Sequence, residues 1–419
     1  MDVEEARIIG ARARMIRRRR GLSLDVVAGL AGISKQYLSV LERGQRGFNR
    51  RGLIEDLANA LGCSVADLTG QPYLAPDRRS AEVSAALADI SVTLHDATLH
   101  DVPDVQARPL PQLITAAARA HAHVDDAHYG AASHGLAALL TELHVHAITG
   151  SPEDRQAASV GLVEMCQVAF ALAKRTGHVE LAVAAARRGC DAARLAERPD
   201  LLGMSATSTT IGLMRLGARW RAVSVSSETL TELSALPGPM PEDTTVAEAR
   251  GMLHLVSALA AARDSRPGDV ATHLEEAGSL AAHTGERNHF RYHFGPSNVA
   301  AWELSIAVES GTGAEAAERF TAAPIDLSVF GSKARESFVL FDLARGWLQA
   351  EGARDGEALR ALDTADRIAP LQVRNDPIAR DLVRVLDRRA KRRVWELDSL
   401  CNRFGIGGQG QRSVDNAVM

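Results

Sequence analysis

The sequence predicts an all-α protein: a small basic domain followed by a long array of paired helices. Three observations carry that expectation. Only 17 of the 419 residues are Phe, Tyr or Trp, while alanine and leucine dominate, and alanine leads the helix propensities but is depleted in strands. Apolar residues recur at three- and four-residue steps through most of the chain, interrupted by short Gly or Pro breaks. Charge is divided unevenly: residues 1–72 hold twelve Lys and Arg against eight Asp and Glu, and the remainder holds 36 against 44. A chain of net charge −4 therefore begins with a cationic segment of about +4.

Composition excludes several classes. Hydrophobic residues at 46% and charged residues at 24% belong to a folded chain rather than a disordered one, and the length suggests roughly two to three domains. The longest uninterrupted apolar runs, such as Val168 to Ala173 and Ala258 to Ala262, fall short of the ~18 residues needed to cross a bilayer, so no spanning helix and no membrane partner is expected. The N-terminus carries Asp2, Glu4 and Glu5 without an apolar signal core, which predicts a cytoplasmic protein. Cys63, Cys166, Cys190 and Cys401 stand far apart; with no C-x-x-C pair they read as packing residues. Only four of the 48 basic residues are lysine, a bias expected of high-GC bacterial coding.

In order along the chain, residues 4–20 predict a first helix, with Ile8, Ile9, Ala13 and Ile16 on one face and Gly21 at its end. Ser23 is an N-cap and Asp25 a first-turn acid for a second helix through Val26, Val27, Ala28 and Ala31. Gly32 supplies the tight turn, Ser34 caps again, and a third helix runs from Lys35 to Arg43 with Leu38 and Leu41 inward. Lys35, Gln36, Tyr37, Ser39 and Val40 fall on or near its outer face. Two short helices follow, from Arg51 to Leu61 and from Ser64 to Leu68.

Helix, glycine-containing turn, helix is the unit that lays its second member in a DNA major groove. The stretch from Gly21 to Gly44 resembles the phage-repressor, or xenobiotic-response-element, family of helix-turn-helix domains. Ala28 matches the family's alanine of helix two, Gly32 its turn glycine, Ser34 its cap, and Glu42-Arg43-Gly44 its closing triplet. The resemblance spans residues 7–70 and implies the family's five-helix plan. It departs at Leu24, where the family carries a glutamine that touches backbone phosphate. The candidate base-reading residues are Lys35, Gln36, Tyr37 and Ser39, because reading base edges needs directed hydrogen-bonding groups. The candidate phosphate ligands are Arg17, Arg18, Arg20, Arg43, Arg46 and Arg50, because phosphates need cations. Tyr37 has an equal alternative, packing beside Leu41 with its hydroxyl wet.

The domains expected are 1–70 for DNA binding, 71–79 as a linker with two prolines, 80–404 as a helical-repeat array, and 405–419 as a flexible tail. Within the array, Gly189 to Ala196, Leu274 to Ala281 and Leu362 to Ala369 share one small-large rhythm at spacings of 85 and 88 residues, which reads as degenerate tetratricopeptide-like helix pairs. Such arrays present a concave groove. The candidate ligand residues are Asn288, Phe290, Arg291, Tyr292, Phe294 and Asn298, an aromatic concentration in an aromatic-poor chain. The two asparagines have the donors and acceptors to clamp a peptide. The competing reading, that the aromatics fill core and Pro296 starts a helix, carries more weight. The Phe294-Gly-Pro-Ser-Asn298 string resembles a Phe-Gly-Pro-Thr-Asn string of actinobacterial regulators. The two-part plan resembles theirs and, more distantly, that of peptide-responsive regulators of Gram-positive bacteria.

The resemblance implies a homodimeric, sequence-specific regulator of transcription that binds a double-stranded operator and whose array senses a peptide or small molecule, mediates dimerisation, or both. The alternative is an interaction scaffold with a vestigial DNA-binding domain. Eight of the 14 histidines lie between His95 and His146, but in His121-x-His123 and His144-x-His146 the members of a pair point about 200° apart on a helix, so no metal site is expected. Gly405 to Gly410 has a dinucleotide-type spacing without a preceding strand. No catalytic motif is present, and neither an enzyme nor a cofactor is expected.

Overall fold

The computed structural model describes residues 8–73, 78–236, 244–392 and 394–406. Among them the regular structure is helical throughout. The front domain comprises α1 (Ile9–Arg19), α2 (Leu24–Leu30), α3 (Lys35–Glu42), α4 (Arg51–Leu61) and α5 (Val65–Thr69); residues 4–7 of the expected first helix lie outside the described residues. The Ser23 and Ser34 hydroxyls accept from the Val26 and Tyr37 N–H groups at 3.2 and 3.1 Å, and Ser64 with Asp67 forms a reciprocal capping box. Gly32 has φ +65°, the left-handed turn that glycine adopts without strain. Helix α1 crosses α3 so closely that a Cβ on Gly10 would lie 2.0 Å from the Leu41 carbonyl oxygen. Ile9, Ala13, Val27, Leu38, Leu41, Leu57 and Leu68 close the core.

The linker is shorter than 71–79. Gln71 Nε2 donates to the Asn375 carbonyl at 2.7 Å, and the Arg380 guanidinium lies 4.5 Å from the Tyr73 ring centroid. The next helix, α6 (Arg78–Asp96), starts inside the expected span; residues 74–77 lie outside the described residues. Then come α7 (Leu110–Asp125), α8 (Tyr129–Ser133) and α9 (Leu136–Thr149).

Five helical hairpins follow: α10 (Pro152–Thr176) with α11 (Val179–Leu195), α12 (Pro199–Leu216) with α13 (Arg219–Ser234), α14 (Thr245–Arg263) with α15 (Pro267–Thr284), α16 (Pro296–Ser310) with α17 (Gly313–Ala322), and α18 (Lys333–Leu348) with α19 (Asp355–Ile368). Helices α20 (Pro370–Arg374), α21 (Pro377–Arg389) and α22 (Trp395–Phe404) complete the chain as described. The three rhythmic segments fall on α11, α15 and α19, and their central Ala192, Ala277 and Ala365 are fully buried. Their spacing therefore counts two hairpins, with α12–α13 and α16–α17 between. Two residues assigned to the expected tail are ordered: Gly405 caps α22 and Ile406 is buried in the core; residues 407–419 lie outside the described residues.

The first helices of successive hairpins pack side by side, and the array curls until α18 meets α7 and α10 meets α20. The expected concave face holds a partly open channel lined by α7, α10, α12, α14, α16, α18 and α20. One sequence expectation needs correcting here. Helix α10 is long and apolar enough to cross a membrane, although 72% of its apolar window is packed inside the protein. Counting unbroken runs missed it because Glu164 and Gln167 interrupt the apolar sequence.

Candidate nucleic-acid interface

Helix α3 begins at the Ser34 cap, and its first turn projects from the front domain. Lys35 and Gln36 are exposed. Lys35 Nζ pairs with Asp25 Oδ2 at 2.7 Å, both side chains more than half exposed; such a pair contributes at most about 1 kcal/mol, so exchanging it for another partner costs little. Ser39 is half-buried, and its carbonyl accepts from Arg43 Nε at 3.1 Å. Tyr37 behaves differently. It packs against the front core, with the Arg46 guanidinium 5.7 Å from its ring centroid. Both line a crevice against Leu348 and Val385, so the ring faces the helical array rather than outward with Gln36.

The arginines divide in the same way. Arg18 and Arg43 are exposed, and Arg20, also exposed, donates to the Gly62 carbonyl at 2.7 Å. Arg17 is not a free phosphate ligand: its Nε and Nη2 grip the buried Glu42 carboxylate at 2.6 and 2.7 Å, and Nη1 donates to the Leu22 carbonyl at 3.0 Å. This fork locks α1 to α3. Arg46 is paired with Glu351 of the array, and Arg50 is half-buried in the same crevice. Leu24 turns onto the front core and has no group to offer a phosphate.

Beneath this surface the front domain is joined to the array. The Arg51 and Gly52 N–H groups, at the start of α4, donate to Glu309 Oε2 at 2.9 and 3.1 Å. A carboxylate from α16 thus satisfies two otherwise unpaired donors of a helix in another domain. Glu309 also pairs with Arg345 and lies 3.7 Å from Arg263. Burial alone would raise its carboxyl, but Arg263 and Arg345 overcome that and hold it down at about 2. Around it, Arg51 pairs with Asp376, Arg219 and Arg263 with Glu55, and the Phe48 N–H donates to Asp381 Oδ2 at 2.6 Å. Burial pushes the Asp381 carboxyl up to about 6, against the Phe48 N–H and the charges of Arg384 and Arg388.

The candidate ligand residues part company. Phe290 and Phe294 are buried in apolar clusters, the core role that carried more weight. Asn288 Oδ1 accepts from the His293 N–H at 3.0 Å. Asn298 is fully buried, donating to the Tyr292 carbonyl at 3.0 Å and accepting from Arg335 Nε at 2.9 Å, so the two asparagines do not clamp a peptide. Arg291 and Tyr292 do line the channel. Sequence reading missed Lys174, Arg215, Arg263 and Arg345, which also line it. Each sits in the last turn of an inner helix, where a basic residue reads as an ordinary partner of the helix dipole; recurrence on successive first helices was the available signal.

The comparisons with known proteins agree with the front domain's geometry. A family model described as a helix-turn-helix domain matches residues 8–69. The chain is 42% identical over 68 residues to the uncharacterized HTH-type transcriptional regulator y4dJ of Sinorhizobium fredii, covering 84% of that protein and 16% of this chain. It is 38% identical over 79 residues to the HTH-type transcriptional regulator DdrOP3 of Deinococcus deserti, covering 60% of that protein and 19% of this chain. The chain belongs to the helix-turn-helix family through its first seventy residues. No solved structure matches.

Proposed function

We propose that this protein is a sequence-specific, DNA-binding transcriptional regulator that works in the cytoplasm as a homodimer, with no cofactor and no enzymatic activity. The single observation that carries the reading is the exposed first turn of α3 in a matched helix-turn-helix domain, with Lys35 and Gln36 open to solvent. In this reading Lys35 and Gln36 meet base edges, while Arg18, Arg20 and Arg43 meet phosphates. A dimer sets two such helices one DNA turn apart. The array, read as tetratricopeptide-like hairpins of an actinobacterial-type regulator, senses a signal or holds the dimer together. The charged joint around Glu309 and Arg51 supports a mechanical link between the two halves.

A second reading, an interaction scaffold with a vestigial DNA-binding domain, is favoured by one group of observations: Leu24 offers no phosphate contact, and Arg17 and Arg46 are already paired. Gel-shift titration against genomic fragments separates the two. The first reading expects Gln36→Ala to weaken the cognate fragment by about 5- to 150-fold, a loss of about 1–3 kcal/mol, while sparing random DNA. Arg18→Ala weakens all sequences alike and lowers the salt slope by about one. Equal losses on cognate and random DNA for Gln36→Ala refute the base-reading role.

A further inference from the structure

The channel beneath the front domain carries a charge imbalance that packing does not require. Its described lining holds eight Lys and Arg side chains against three carboxylates, although the chain beyond residue 72 is net acidic. Five of these cations are matched. Arg51, Arg263, Arg291 and Arg345 pair with carboxylates, and Arg175 donates to Gln372 and to the Ala171 carbonyl. Lys174, Arg215 and Arg335 have no carboxylate within ion-pairing distance among the described residues.

The Lys174 ammonium lies over the Phe170 ring, 5.0 Å from its centroid. Arg335 lies against the Phe330 and Phe338 rings and donates Nε to Asn298 Oδ1 at 2.9 Å, while its Nη2, like His121 Nε2 and His293 Nδ1 on the same walls, is buried without a hydrogen-bond partner. Burial, reinforced by neighbouring cations, pulls the Lys174 ammonium well below its usual range and the Arg215 guanidinium down to about 9; burial alone brings Arg335 to about 10. Arg215 and Arg335 are half-buried, and an arginine stays charged at physiological pH and loses stability as it is drawn from water without a partner. Between the cations the walls are apolar, with Phe170, Ile211, Met214 and Trp302. The cavity between the helices is about 190 Å³, the size of a small molecule.

We propose that the channel binds a small organic dianion, a phosphate monoester or a vicinal dicarboxylate on an apolar body, between Lys174, Arg215 and Arg335, and that this molecule is the signal. The proposal deepens the reading of the array as the sensing half and rests on it. Two oxyanion charges offset the surplus cations, and the aromatic walls take the apolar body. Lys174 and Arg215 stand in the last turns of α10 and α12, within the field of Arg51, the first residue of α4. An anion there competes with Asp376 for Arg51, so occupancy acts directly on the joint that holds the front domain.

The test is thermal denaturation of the full chain at low salt with phenyl phosphate, phthalate and, as an uncharged control, benzyl alcohol. A saturable rise in Tm with a dianion and none with benzyl alcohol is expected; the more effective dianion distinguishes phosphate from dicarboxylate. Arg215→Met and Arg335→Met are each expected to weaken Kd about ten- to a hundredfold, the loss of one charge-assisted hydrogen bond; Arg215→Met should do so without lowering the ligand-free Tm, whereas Arg335→Met also strips the buried Asn298 Oδ1 of its donor and should lower it. Arg119→Met, an exposed site outside the channel, leaves Kd unchanged. No saturable shift with either dianion, an undiminished shift in both channel variants, or a lower ligand-free Tm for Arg215→Met overturns the proposal. Gel shifts keep it separate from the reading beneath it: fragment binding without a dianion site sinks only the inference, and a dianion site in a chain that shifts no genomic fragment sinks only the regulator.

Discussion

Replacing Glu309 by alanine tests whether one side chain holds the front domain to the array. The carboxylate is 2% exposed and accepts two N–H groups from α4 while balancing Arg345. Its loss leaves two helix-terminal donors buried and unpaired, at about 1–3 kcal/mol each. It also strips a partner from Arg345, although Asp342 still faces that guanidinium at 2.6 Å. Breaking a buried pair costs about 3–5 kcal/mol, and the two routes to a magnitude agree. At about 1 °C per kcal/mol for a chain of this size, Tm should fall by roughly 3–6 °C. The assay is differential scanning fluorimetry of the full chain beside Glu318→Ala, which removes an exposed partner of Arg354 and should cost at most about 1 kcal/mol. Because Glu309 and Arg345 share a network, Glu309→Ala with Arg345→Met should cost clearly less than the sum of the single changes. A Glu309→Ala protein that melts with the Glu318→Ala control refutes the account of the joint.

Other consequences follow from single contacts. Asp381 is an acid whose folded pKa, about 6, lies above its unfolded value. Its contribution to stability is therefore greatest at low pH and is lost as pH rises through about 6. Asp381→Asn keeps an acceptor for the Phe48 N–H, so melting scans across pH should show the variant more stable than wild type at neutral pH, with the advantage shrinking toward pH 4. Arg17→Ala should cost roughly 3 kcal/mol by leaving Glu42 buried and unpaired, and in gel shifts it should not lower the salt slope as Arg18→Ala does. A slope change equal to that of Arg18→Ala would mean that Arg17 leaves Glu42 for a phosphate. Gly251→Ala places a Cβ 2.0 Å from Phe294 Cζ, inside a closed apolar cluster. Overpacking of that kind costs roughly 1–3 kcal/mol, read as a lower urea midpoint with an unchanged slope; an unchanged midpoint means that the ring moves freely.

The amino-acid sequence determined most of what is local. Serine caps at positions 23, 34 and 64, glycine at position 32 and the inward Leu38 and Leu41 specify the front domain because each acts within a few residues of itself, and the outward Lys35 and Gln36 follow from the helical period. The alanine rhythm on α11, α15 and α19 likewise announced paired helices, since a helix can approach its neighbour closely only over small side chains. Charge was different. A cation in the last turn of a helix has the same sequence signature whether it meets solvent, a carboxylate or an unfilled need. Only the curl of the array turned Lys174, Arg215 and Arg335 toward one channel and brought Glu309, some 258 residues away in the chain, under the first turn of α4. Tyr37, Arg17 and Arg46 were decided in the same way: their residue types suited DNA, but the packing of α1 and of the array against α3 gave them nearer partners. Burial and long-range pairing depend on where distant segments meet, and that is set by the packing of the whole chain rather than by any window of it.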